Sequence, residues 1–165
     1  MSDEGGVNDA WVRLLEEMEA MEEELHDAGW DTLSIAAGDA APVVPETSRL
    51  DRHGFAYVIP GDDAERFAEL FVPDGFPRSE VYRAVEGGNL FLLTVFKDPP
   101  TEAAILLAGV LDLADIDECR EISERTGTMN THVLKIDGTH VGSFEHDDPM
   151  PFFPDNSGKS SKDSK

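Results

Sequence analysis

His132, His140 and His146, with Asp147 and Asp148 directly behind the last, are the side chains of this sequence best suited by type to hold a metal ion. Imidazole nitrogens and carboxylate oxygens are common zinc ligands. They form no compact motif such as HExxH, so their geometry has to come from the local fold. Asp137-Gly138 is the signature of a two-residue turn, which makes Thr131 to Phe144 a hairpin. Regular pairing around that turn opposes Leu134 to Val141, Lys135 to His140 and His132 to Ser143, and each opposed pair shares a face. His132 then lies with Leu134, Ile136 and Val141 on the more apolar face, and His140 and His146 lie on the other. The latter two are roughly 20 Å apart along a strand, too far for one ion that needs contacts of about 2.1 Å. Regular register therefore predicts no metal site. It makes His132 a half-buried structural histidine and His146-Asp147-Asp148-Pro149 a turn. A bulge would reverse this parity, and Gly142 is the position that invites one.

Arg83 is the other side chain with ligand chemistry. On a strand from Glu80 to Val85 it shares a face with Val81 and Val85. Two readings stand: an ion pair with one of the many carboxylates, or a part-buried fork that orients a carboxylate ligand. Asp98-Pro99-Pro100-Thr101-Glu102 reads as a helix start, with Asp98 as N-cap and Pro99 at the first helical position. Acids there suit the helix dipole and repel phosphate. Gly87-Gly88 lacks the following helix, the lysine and the Ser/Thr of a phosphate loop, and reads as a hairpin turn. Cys119 lies among Asp117, Glu118 and Glu121, which oppose thiolate formation, so it reads as a buried structural thiol. No catalytic residue and no cofactor is assigned on these grounds.

The elements that must position these residues are organised around Asn89 to Leu113, the longest apolar stretch. Leu90 to Phe96 reads as a buried strand and Ala103 to Leu111 as a helix that is apolar on almost every side. Before them come a helix from an Asn8 cap to about Ala28, a strand from Trp30 to Ala37, a long loop from Gly38 to Arg52, a strand at Phe55 to Ile59 and a helix from Asp62 through Phe71. After them come a helix from Asp115 to Thr126 and the histidine-bearing hairpin. The order αββαββααββ predicts one α+β domain over residues 8–154. It would have a largely antiparallel sheet of about six strands and three to four helices mainly on one face. Residues 1–7 are expected to be frayed and 155–165, rich in Ser, Lys and Asp, disordered.

Composition limits the partners. Asp and Glu number 35 against 13 Lys and Arg, a net charge of −22, while 40% of residues are hydrophobic. A chain this acidic repels itself in dilute buffer. It lacks the basic face that nucleic acid or an anionic membrane requires. With no basic-then-apolar leader at its start and a single cysteine, it is expected to be cytoplasmic. Many carboxylates, few lysines and an intact core resemble haloarchaeal cytoplasmic proteins, for which molar salt shortens the Debye length to about 3 Å.

The resemblance becomes specific at Gly29-Trp30, Val81-Tyr82-Arg83, Asp98 to Ile105, Thr131-His132, Gly142 to Pro149 and Phe152-Phe153-Pro154. Over about residues 8–154 the chain is similar to an uncharacterised haloarchaeal family, a domain of unknown function. That resemblance implies a single domain adapted to salt, and carries over no site, substrate or cofactor. Two function classes follow from the residues themselves. One is a non-enzymatic protein-interaction or regulatory module, self-association included, with Met150, Phe152 and Phe153 as interface candidates. The other is a small-ligand-binding protein or enzyme with a pocket near Arg83, His132 and His146. A flat apolar patch points to the first, a pocket with convergent polar groups to the second. The two phenylalanines of Met150 to Pro154 are expected to pack back on the domain or on a protomer, since exposure forgoes roughly 1.5–3 kcal/mol each.

Overall fold

The computed structural model describes residues 2–44 and 52–154, with side chains from Gly6 onward. Its elements are α1 (Ser2–Asp27), β1 (Asp31–Val43), β2 (Gly54–Ile59), α2 (Gly61–Leu70), β3 (Arg78–Glu86), β4 (Asn89–Asp98), β5 (Ala103–Asp112), α3 (Asp117–Thr126), β6 (Met129–Lys135) and β7 (His140–His146). Short 3-10 turns lie at Leu113–Asp115 and Met150–Phe152. The strands form one seven-stranded sheet in the order β3-β4-β5-β1-β2-β6-β7. The β1–β5 and β2–β6 pairs are parallel and the other neighbours antiparallel.

The long strand β1 carries the curl of this sheet. Its first part, Asp31 to Asp39, pairs with β5, and its last, Ala40 to Val43, with β2. The register slips between Ala36 and Gly38, and Gly38 has φ of 77°, a left-handed conformation that glycine takes without steric cost. Such a bulge bends a strand and increases its twist. The two halves of the sheet then face each other across one core, which gathers Leu33, Ile35, Phe55, Tyr57, Ile59, Leu92, Phe96, Ile105, Leu107, Met129, Val133 and Phe144. Phe96 of β4 and Phe144 of β7 belong to opposite halves, yet their rings stack with centroids 3.8 Å apart. Close packing leaves no room for a side chain at position 109 of β5. A Cβ on Gly109 would lie 2.4 Å from Cε2 of the buried Tyr57.

The other face of β4 and β5 is covered by α1. Ala10, Leu14 and Met18, spaced by four, pack on Phe91, Leu93, Val95, Ala104, Leu106 and Ala108. Helix α2 buries Ala64, Phe67 and Leu70 in the main core. It touches β1 and β5 in one half of the sheet and β6 and β7 in the other.

Several expectations change. Ala103 to Leu111 is strand β5, not a helix. With α1 on one face and the main core on the other, nearly every β5 position is buried, and a strand buried on both faces shows no alternation. Asp98 therefore caps no helix. It ends β4 at the turn into β5, where its Oδ2 accepts the Thr101 hydroxyl at 2.7 Å and its Oδ1 the Phe76 N–H at 2.9 Å. This change gives seven strands rather than six, three α-helices among the described residues, and the order αββαβββαββ. The helices are not gathered on one face, since α1 lies on one and α2 on the other. Helix α1 begins at Ser2 instead of Asn8, and Val7, in the segment expected to fray, packs on the α1 cluster. Strand β1 continues to Val43, into the expected loop. The remainder of that loop at 45–51 and the tail at 155–165, expected to be disordered, lie outside the described residues. No helix among the described residues is long and apolar enough to cross a membrane.

Candidate functional site

Curling brings the two edge strands of the sheet, β3 and β7, to either side of one cleft. Among the described residues each has a hydrogen-bonded neighbour strand on one side only, β4 for β3 and β6 for β7. The cleft between them has a volume of about 470 Å³. Its floor is aromatic, made by Phe76, Phe96, Phe144 and Phe152. Arg78, Ser79, Glu80 and Val81 of β3 form one wall, and Glu145, His146, Asp147 and Asp148 the other. Arg78 is the only cation in that lining, so the rim is net acidic. Glu80 is held by Lys97 at 2.9 Å, and that bond lowers its carboxyl below the ordinary range.

His146 stands at the inner wall of the cleft. Its ring packs on Phe96 and Phe152, with centroids 5.7 and 4.5 Å away. Nε2 shares a 2.8 Å hydrogen bond with the hydroxyl of Thr131. Burial pushes the imidazole down to about 4, so it is neutral at pH 7. Behind the cleft, the buried Asp98 fixes Phe76 through the N–H bond already described. Phe76 has φ of 56°, an unfavourable conformation for an aromatic residue that this bond helps to hold.

The segment after β7 covers part of the gap between the edges. Arg83 donates from Nη1 to the carbonyl of Pro151 at 2.9 Å, and Arg120 donates to the carbonyl of Pro154 at 2.7 Å. Phe152 and Phe153 point inward and meet Phe55 edge-on, and the Arg120 guanidinium lies 5.6 Å from the Phe153 ring centre. Of the three interface candidates, Met150 is exposed, whereas Phe152 and Phe153 are part of the chain's own core. Among the described residues Arg83 has no ion-pair partner and forms no buried fork; it is an exposed side chain that ties the C-terminal segment to β3.

The three residues of the ligand-binding reading do not meet. His146 lines the cleft and Arg83 reaches it only through the Pro151 carbonyl, while His132 lies on the opposite face of β6 from Met129, Thr131 and Val133, which are turned to the core side. The face expected to be the more apolar is the outer one, where Ile136 is 81% exposed. Register explains what His132 does instead. Thr131 opposes Phe144 and His132 opposes Ser143 as regular pairing requires, but the ladder slips after Val133, and Leu134 opposes His140 rather than Val141. The slip moves His140 to the side of His132, with ring centroids 6.1 Å apart. His132 Nδ1 and His140 Nε2 each lie 2.6 Å from Ser143 Oγ, and His132 Nε2 lies 3.0 Å from the carbonyl of Arg52.

Sequence reasoning missed Ser79, Glu80 and Phe76 in the cleft and Ser143 between the histidines. The signal for the last was Gly142, where a Cβ would come within 2.9 Å of Phe67 and 3.0 Å of Phe71. Cys119 is buried with its thiol directed at the Gly54 carbonyl, and burial pushes it up to about 11. Among the described residues no group of three or more His, Cys, Asp or Glu is arranged to hold a metal.

Comparison with known proteins places the chain in a family. Residues 1–154 match the model of a family of unknown function, DUF7529, and the chain belongs to that family. No curated protein matches it. No solved structure matches it either.

Proposed function

We propose that this domain is a non-enzymatic protein-interaction module that takes an extended, basic peptide segment into the cleft between β3 and β7. The observation that carries this reading is that both walls are strand edges with one side unpaired among the described residues. An exposed edge offers a row of backbone N–H and C=O groups, and adding a strand to such an edge is a recurrent mode of peptide recognition. The aromatic floor accepts alternate side chains of an extended segment. The rim carboxylates Glu145, Asp147 and Asp148 select positive charge. Acidity alone selects the sign and not the place, because the whole chain is acidic. The place comes from the cleft.

A small cationic ligand is the second reading. Its support is the volume, about 470 Å³, which falls within the size of small-molecule sites. It retains His146 in the pocket wall, with Arg83 behind Pro151, and releases His132. Family membership is consistent with either reading, and the acidic composition supports the finer proposal that the chain comes from a haloarchaeon and works in its cytoplasm at molar salt.

The test is selection of displayed peptides against the folded domain in KCl, with the Ser79→Trp variant as control. Ser79 is an exposed wall residue, so the indole fills the cleft without disturbing the core. Peptides with basic residues in an extended pattern should bind the wild type and lose binding to Ser79→Trp. Selection of peptides that bind both proteins equally would remove the cleft from the account. Binding of simple apolar amines at Ser79-dependent affinity, with no peptide selected, would favour the small-ligand reading.

A further inference from the structure

The geometry points to a transition-metal site, suited to Zn²⁺, on the outer face of the β6–β7 hairpin, with His132 Nδ1 and His140 Nε2 as its nitrogen ligands. Both nitrogens are directed at one point, now held by Ser143 Oγ, and each is 2.6 Å from it. Nε2 of His132 lies 3.0 Å from the Arg52 carbonyl, which can only accept, so Nε2 carries a proton. A ring N–H given to a backbone carbonyl is the arrangement that orients metal-bound histidines. Imidazole suits zinc, copper and nickel, and contacts to zinc run to about 2.1 Å. An ion at the point of convergence requires each nitrogen to close in by about half an ångström. The hydroxyl turns aside or becomes a third ligand, and solvent water completes the shell.

The slip in register after Val133 makes the site. Regular pairing would put His140 on the opposite face from His132, and the absence of a zinc site expected from the sequence rested on that regularity. The site is separate from the cleft between β3 and β7, which His132, His140 and Ser143 do not line. It also differs from the pairing of His132 with His146, since those residues face opposite sides of the sheet.

The experiment is zinc titration by calorimetry, on chain carrying no affinity tag, in molar KCl to suppress adventitious binding to surface carboxylates. Ring ¹⁵N spectra of the histidines are recorded alongside. The expected result is one zinc per chain, with the His132 Nδ1 and His140 Nε2 resonances shifted and His146 unchanged. His140→Ala should weaken binding at least about tenfold, the scale set by losing even a supporting group. His140 is exposed, so this variant folds. Ser143→Ala should keep stoichiometric binding, because both imidazoles remain. The proposal is overturned if zinc is not taken up stoichiometrically, or if uptake is undiminished in His140→Ala.

Discussion

Lowering the pH from 7 to 5 should destabilise this protein by about 2 kcal/mol through His146 alone. The imidazole is buried against Phe96 and Phe152, and burial lowers it from an ordinary 6.5 to about 4. The unfolded chain takes up its proton near pH 6.5, while the folded chain resists protonation until about pH 4. Stability from this group is therefore complete above the unfolded value and is lost as pH falls through the window between the two. The whole interval corresponds to about 3 kcal/mol, of which about 2 is gone by pH 5. Carboxylates act in the opposite sense, because acid discharges a surface of net −22 and relaxes its self-repulsion. The assay must isolate the histidine. Urea unfolding in molar KCl at pH 7, 6 and 5, for wild type and His146→Gln, does so by difference. The variant loses ring packing and the Thr131 bond, and should be less stable at pH 7. Between pH 7 and 5 it should lose about 2 kcal/mol less than the wild type. Parallel stability curves over that range would refute the reasoning, since they would mean that His146 is solvated or charged in the fold.

Three further outcomes are expected. Deleting residues 150–165 removes the buried Phe152 and Phe153, and should cost about 3–6 kcal/mol more in chemical denaturation than deleting 155–165; equal stabilities would return these rings to an exposed motif. Gly109→Ala forces a methyl group against the fixed Tyr57 ring and should destabilise by about 1–3 kcal/mol in the same assay. Circular dichroism melts should show marginal folding in dilute buffer and cooperative unfolding in molar KCl, and a melting temperature independent of salt would count against adaptation to salt.

The sequence announced its elements wherever one face is wet. Helix α2 shows Ala64 and Phe67 at helical spacing, and the pairing counted from the Asp137-Gly138 turn holds at Thr131 to Val133. It failed where both faces are covered. Ala103-Ala-Ile-Leu-Leu-Ala carries helix formers, and its burial under α1 on one side and the core on the other removes the alternation that marks a strand. Gly38 and the slip beside it looked like loop chemistry, because nothing local says that β1 changes partners there. The cleft was illegible for the same reason. Arg78 to Val81 and Glu145 to Asp148 become neighbours only because β1 bends, and no spacing in the chain encodes that approach. At the histidines the residues were legible and the register was not: one slipped position decides whether His140 faces His132.

The central claim, that the unpaired edges of β3 and β7 receive an extended segment, is tested most directly by amide hydrogen exchange with and without a selected peptide. Pairing of a new strand should slow exchange at amides within Arg78–Val81 on one wall and Phe144–His146 on the other, and leave β4 and β5, already paired on both sides, unchanged. Protection that appears elsewhere while both of these edges exchange as fast as in the free protein would contradict the account.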